Sequence, residues 1–258
     1  MKMHCVFIGI DLYKDKKINS LRYAKADAEK FYHQVIGSPV ACEAHIQLLT
    51  NQQATKQKIL KVVGETLPRN VARDDPVLLY FSGHGSPETS NSPDRVARYL
   101  VTYDTEYESI FATAIDLERD LTRLIERIPS NLIVVLLDTC FSGRAGGRTF
   151  EGPNVRASRA SWRESFKLAD LKLGEGRLLL AACDDDEVAY EDPTLKQGVF
   201  TYYLLQALTA SHTSESWISL NALYEKTSQN VHAFTMGRQT PIMNGRMKMA
   251  CLPLFRES

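Results

Sequence analysis

The sequence predicts an α/β fold in which a parallel or mostly parallel sheet is covered by helices on both faces. Three observations predict it. Residues 76–81, 132–137 and 178–182 are short runs with an apolar residue at every position, the pattern of a strand buried on both sides. Amphipathic stretches with helical spacing lie between such runs. A length of 258 residues, with 44% hydrophobic and 24% charged residues, suits one large domain with a well-buried core.

Residues 5–10 read as the first strand. Residues 21–36 follow as a helix carrying Leu21, Ala24, Ala28, Phe31 and Val35 on one face. Residues 44–49 form a weaker strand, and residues 55–67 a helix capped by Thr50 or Asn51. Strands at 76–81 and 132–137 enclose a helix at 116–128. A strand at 178–182 and helices at 200–208 and 220–231 complete the alternation. In such a sheet, sites form at the carboxyl ends of the strands.

Composition excludes several function classes. Lys plus Arg and Asp plus Glu balance at 31 each, so no net field draws the chain to nucleic acid or membrane. No apolar run is long enough to cross a bilayer, and Met1-Lys2-Met3-His4 runs straight into a strand, unlike a signal peptide. The five cysteines lack CxxC pairs, so no zinc site is expected and a reduced, cytoplasmic protein is the simplest reading. Cys5, Cys42, Cys183 and Cys251 read as structural. The acidic run Asp184-Asp185-Asp186-Glu187 reads as a solvated loop, not a hard-cation cage.

Residues 142–176 break the rhythm. They are rich in glycine and carry Arg144, Arg148, Arg156, Arg159, Arg163 and Lys167. So long a connection inside a compact domain is a mobile cover or a functional segment.

Two strand ends carry chemistry. The strand at 77–81 runs into Ser82-Gly83-His84-Gly85, and that at 132–137 into Asp138-Thr139-Cys140-Phe141-Ser142-Gly143. Both belong at one edge of the sheet, with His84 preceding Cys140 by 56 residues. A thiol attacks only as thiolate and needs a base beside it; Cys140 is the candidate nucleophile and His84 its base. The amides of Gly85 and Cys140 are placed to stabilise an oxyanion, because Gly85 has no side chain to block approach. Ser82 lies in no Gly-x-Ser-x-Gly elbow and is not a nucleophile.

These segments resemble the caspase-like cysteine peptidases, peptidase family C14, and look like the metacaspases and bacterial orthocaspases. The likeness runs through Val6-Phe7-Ile8-Gly9-Ile10-Asp11 and Ala26-Asp27-Ala28, then Tyr80 to Gly85, Tyr99-Leu100-Val101 and Tyr103-Asp104. It continues through Leu136 to Gly143, Ala181-Ala182-Cys183 to Ala189, Gly198-Val199-Phe200-Thr201 and Gln239-Thr240-Pro241. The resemblance implies a six-stranded sheet in a single domain over 1–258. Residues 1–143 would be its large-subunit-like part, 144–176 an intersubunit-type loop and 177–258 the small-subunit-like part.

True caspases carry Gln-Ala-Cys at the nucleophile. Here the triplet is Asp138-Thr139-Cys140, and Phe141 stands where many metacaspases have histidine. Cleavage after Arg, with Lys second, is expected instead. Asp138, two residues before the nucleophile, points to the same side of its strand, and Asp27 matches a pocket aspartate of metacaspase-like proteins. Two carboxylates suit a guanidinium fork better than a point charge. The family also places cleft residues around Cys183 and Asp184. Self-cleavage is expected in the loop, after Arg144, Arg148, Arg156, Arg159 or Arg163. No metal or cofactor is expected; calcium dependence, known in part of the family, has no assignable ligand cluster. The expected partners are peptide or protein substrates with a basic residue before the scissile bond, together with a separate regulatory chain. A catalytically silent caspase-like scaffold and a separase- or legumain-like peptidase are the competing readings. The oligomeric state stays open.

Overall fold

Strands that are apolar throughout need cover on both sides, and the computed structural model supplies it. It describes residues 2–36, 41–89, 96–142, 147–150, 152–153, 168, 171–210, 218–246 and 251–252. One six-stranded sheet runs in the order Ile242–Arg246, Arg177–Ala181, Ile133–Asp138, Val77–Ser82, Met3–Gly9, Ala41–Thr50. All neighbours are parallel except the edge strand Ile242–Arg246, which pairs antiparallel with Arg177–Ala181.

Alternate residues of each strand feed two cores. Cys5, Phe7, Leu78, Tyr80, Val134, Leu136 and Leu180 face Ala28, Phe31 and Val35 of the helix Ala24–Ile36, and Phe200 and Leu204 of the helix Val199–Ala210. Val6, Ile8, Leu79, Phe81, Val135 and Leu137 face Ile59 and Val62 on one side and Leu121, Leu124 and Ile125 on the other. The period of two in the strands meets the period of about four in the helices. Gly9 lets the first helix lie hard against the first strand. A Cβ there would stand 2.6 Å from both the Ala24 carbonyl and the Ala28 Cβ, and this close approach brings Asp27 to the sheet edge.

Several boundaries move. The helix expected at 55–67 is Lys56–Lys61, a wider π-type turn at Val62–Thr66, and Leu67–Asn70. Its cap is Thr55, whose hydroxyl accepts from the Lys58 amide at 3.2 Å. Thr50 makes no such bond. Asn51 is buried and accepts instead from the amides of Asp11 and Leu12. Asp116 caps its helix from outside, accepting from the Arg119 amide at 2.8 Å.

Two features went unforeseen. The antiparallel pair Gly85–Thr89 and Val96–Leu100 holds Pro87, Glu88 and Arg98, which mask its strand character, although Glu88 and Arg98 are buried. The edge strand Ile242–Arg246 has apolar residues only at Ile242 and Met243 and includes Gly245, whose φ of 137° and close approach to the Arg177 carbonyl exclude a side chain. Cys183 lies two residues beyond its strand, not within it.

Candidate active site

Strand register sets the site. Ser82 pairs with Asp138 across the parallel strands, so His84 and Cys140, each two residues further on, leave the sheet side by side.

The Cys140 sulfur lies 3.0 Å from the Ser142 hydroxyl and 2.9 Å from the Glu187 carbonyl oxygen, and the Ser142 amide donates to it at 3.4 Å. Burial pushes this thiol up. Hydrogen bonds from Cys183 and from Ser142 outweigh that and bring it down to about 7.

His84 is buried, and burial pushes its imidazole down to about 4. Its Nε2 stands 2.8 Å from the Asn19 carbonyl oxygen, which can only accept, so the neutral ring carries its proton on Nε2. Nδ1 is left without a hydrogen-bond partner beside the Arg148 backbone. Tyr13 fixes the plane of the ring: the two rings stack at 5.3 Å and 27°, and the Tyr13 hydroxyl accepts from the His84 amide at 2.9 Å. A neutral imidazole at the end of the strand next to that of Cys140 is a group of the kind that can take a proton and return it.

Arg148 lies across this pair. Its carbonyl oxygen accepts from the Gly85 amide at 3.0 Å and from the Cys140 amide at 3.2 Å. Those are the two donors expected to stabilise an oxyanion. Its own amide donates to the Ala189 carbonyl at 3.0 Å, and two residues on the Phe150 amide donates to the Gly85 carbonyl at 3.1 Å. Residues 147–150 are thus threaded through the site, with Thr149 bridging to Gly85 in parallel. Gly147 is required, because a Cβ there would stand 2.1 Å from Val188 Cγ1. Gly85 is required too: its Cβ would meet the Cys140 carbonyl at 2.4 Å.

The Arg148 guanidinium is wholly buried. Nη2 meets Asp27 Oδ2, and Glu191 Oε1 at 3.2 Å; Nη1 meets Asp138 Oδ2 at 2.8 Å and donates to the Ser82 hydroxyl at 2.5 Å. Gly198 leaves the room, since a Cβ there would stand 2.6 Å from both Arg148 Nη2 and Asp138 Oδ2. Its amide donates to Asp27 at 2.9 Å. Three carboxylates around one cation leave surplus negative charge. Burial pushes Asp27 up to about 7 and raises Asp138, against the pull of Arg148.

The structure therefore brings Cys140, His84, Gly85, Asp27, Asp138 and Arg148 together. Cys183 lies beside the nucleophile, its sulfur 3.7 Å from the carbonyls of Thr139 and Glu187. Asp184 is exposed, accepts from the Asp185 amide and is not one of the carboxylates around Arg148. Arg144, Arg156, Arg159 and Arg163 lie outside the described residues. Glu191, Ser82 and Gly198 complete the pocket without having been assigned to it from sequence. The solvated reading of the acidic run holds only for part of it. Asp185 pairs with Arg98 at 3.0 Å, and Glu187 takes the Thr240 amide at 2.5 Å and hydroxyl at 3.0 Å. Carboxylates so committed do not fit a calcium cage. Among the described residues no group of three or more His, Cys, Asp or Glu is arranged to hold a metal ion. No described helix is long and apolar enough to cross a membrane.

The family model of the caspase domain, Peptidase C14, matches residues 2–251. The chain belongs to this family. Among solved structures, this caspase domain is similar to a protein from Geobacter sulfurreducens, with 20% identity, a TM-score of 0.68, and 95% of this chain and 94% of that one covered. It is also similar to caspase-1 from Spodoptera frugiperda, with 13% identity, a TM-score of 0.58, and 100% and 91% covered. At such identities the likeness establishes the fold. A comparison with the curated proteins finds no match. Membership of the family supports a protease function.

The two titrating groups predict different pH profiles. Alkylation of Cys140 by iodoacetamide reads only the thiolate and should fall about tenfold per pH unit below about 7. If substrates place a guanidinium against Asp27 as Arg148 does, they need Asp27 ionised, and kcat/KM for arginyl peptides should fall more steeply over the same range, toward a hundredfold per unit. Parallel slopes would show that Asp27 takes no part in binding.

Proposed function

We propose that this caspase domain is a cysteine endopeptidase that cleaves after arginine and that its own Arg148–Thr149 bond is a substrate. One observation carries the reading: Arg148 sits in a three-carboxylate pocket while its carbonyl lies between the Gly85 and Cys140 amides.

In this reading the Cys140 thiolate attacks the Arg148 carbonyl carbon, and His84 Nδ1 holds the thiol proton. Negative charge develops on the oxygen already facing the two amides, where fixed donors stabilise it without reorganisation. His84 then gives its proton to the Thr149 nitrogen, and Thr149 leaves as a new amino terminus. Water, activated by the same ring, hydrolyses the Arg148 thioester on Cys140. Holding the bond in place converts a bimolecular attack into a local one. Other substrates would enter in the same register once residues 147–150 have left. Lysine would serve less well than arginine, because one ammonium cannot span Asp27, Asp138 and Ser82 together. A small residue is expected before the arginine, since Gly147 lies against Val188 and Ala189.

Intact mass spectrometry of the purified chain tests this. Fragments 1–148 and 149–258 are expected, and neither should appear in Cys140→Ala. A fluorogenic library should rank Arg above Lys by at least about tenfold, in line with a bidentate against a single contact. A cut elsewhere in residues 142–176, or faster cleavage after aspartate, would overturn the assignment.

A further inference from the structure

The proposed mechanism uses one of two thiols that meet at this end of the sheet. Cys183 takes no covalent step in it, yet it is buried against the nucleophile. Leu137 pairs with Ala181 in neighbouring parallel strands, and the Ala182 amide donates to the Leu137 carbonyl at 2.8 Å. Carrying that register forward sets Cys183 opposite Thr139, one residue before Cys140. With neighbouring strands about 4.8 Å apart and Cys140 about 3.3 Å further along, the two Cα atoms are set about 6 Å apart, within the separation that a disulfide spans. Both sulfurs turn toward one atom: the Glu187 carbonyl oxygen is 2.9 Å from the Cys140 sulfur and 3.7 Å from that of Cys183.

We propose that Cys140 and Cys183 form a redox modification site, in which Cys183 resolves peroxide-oxidised Cys140 as an intramolecular disulfide and switches the peptidase off. The chemistry balances. The Cys140 thiolate attacks one oxygen of hydrogen peroxide, the O–O bond breaks, hydroxide leaves and Cys140 becomes a sulfenic acid. The Cys183 sulfur then attacks the Cys140 sulfur. The S–O bond breaks, and hydroxide leaves as water with the Cys183 proton. Two thiols lose two electrons, and peroxide is reduced to two waters. The roles do not interchange. Cys140 sits down near neutrality, whereas Cys183 is raised well above the ordinary thiol range by its bond to Cys140 and by burial, so the oxidant meets a thiolate at Cys140 first. Cys5, the other described buried cysteine, lies inside the strand Met3–Gly9, which the strand Val77–Ser82 separates from the Cys140 strand. Residues 147–150 cover the nucleophile, so oxidation acts on chains in which this segment has moved away or been cut.

This inference rests on Cys140 being the reactive thiol of the proposed peptidase, and its test reads the thiols directly. The full chain is treated with graded hydrogen peroxide, and Cys140 and Cys183 are mapped by peptide mass spectrometry without reductant. A Cys140–Cys183 cross-link lighter by two hydrogens is expected, fully reversed by dithiothreitol. In Cys183→Ser and in Cys183→Ala, reversal should be lost and Cys140 should pass to the sulfinic acid. Three results would overturn the proposal: native Cys140 reaching the sulfinic acid at the dose the variants need, a cross-link to another cysteine, or an unmodified Cys140. A cross-link in a chain that cleaves no peptide would remove the peptidase reading and leave this one. Cleavage with no cross-link would do the reverse.

Discussion

Cys140→Ala and His84→Ala are each expected to abolish cleavage, both of the Arg148–Thr149 bond and of added arginyl peptides. The expected loss is on the order of 10⁴-fold or more in kcat, the scale seen when a member of a nucleophile–base unit is removed. Alanine at Cys140 leaves no atom to form the thioester. Alanine at His84 leaves Cys140 without the Nδ1 that must accept its proton and pass it to Thr149. The double variant should be no slower than either single one, because the residues act as one unit. Both lie beyond the ends of their strands, so the circular dichroism of Cys140→Ala should stay close to that of the native chain. His84→Ala also loses the stacking on Tyr13 and should be modestly less stable. Turnover retained in Cys140→Ala would end the mechanism. Turnover retained in His84→Ala alone would mean that the thiolate forms without a base, from the Ser142 and Cys183 hydrogen bonds.

How much of this was legible in the sequence depended on which backbone path each residue needed. His84 and Cys140 follow strands that are apolar throughout, and parallel register alone then sets them side by side. Asp138 was readable from strand alternation and Asp27 from its match to a family segment. Glu191 was not, because it stands in a short turn-like pairing of Glu191–Asp192 with Gln197–Gly198, which has no apolar periodicity. Nor could Arg148 be told from the four other arginines of its loop. What selects it is the donation of the Gly85 and Cys140 amides to its carbonyl, a backbone contact that no side-chain pattern encodes. Cys183 passed for a core residue because its packing is indeed apolar. Only its place across the register from Thr139 sets it against a second sulfur.

Asp138→Asn should remove the preference for arginine while sparing the thiol. Asp138 is wholly buried, pairs with Arg148 Nη1 at 2.8 Å and accepts from the Thr201 hydroxyl. Asparagine keeps the shape and the bond to Thr201 but leaves a buried guanidinium short of a counter-charge. Breaking a buried pair in this way costs about 3–5 kcal/mol, which corresponds to a loss of about 10² to 10⁴ in kcat/KM for arginyl peptides. Asp27→Asn should behave alike, since its carboxylate is equally buried. Glu191→Gln should cost less, on the order of tenfold, because Glu191 is 12% exposed and its Oε1 lies 3.2 Å from the guanidinium. Iodoacetamide should still alkylate Cys140 in all three once residues 147–150 have been cut, as Asp138 does not touch the sulfur. The uncut chain offers a second reading. There Arg148 itself occupies the pocket, so in a Cys140→Ala background, where no cut intervenes, Asp138→Asn should lower the unfolding free energy by a similar 3–5 kcal/mol. Urea unfolding measures it. Arginyl peptides cleaved within tenfold of the native rate, together with an unchanged urea midpoint, would show that Asp138 does not receive the guanidinium.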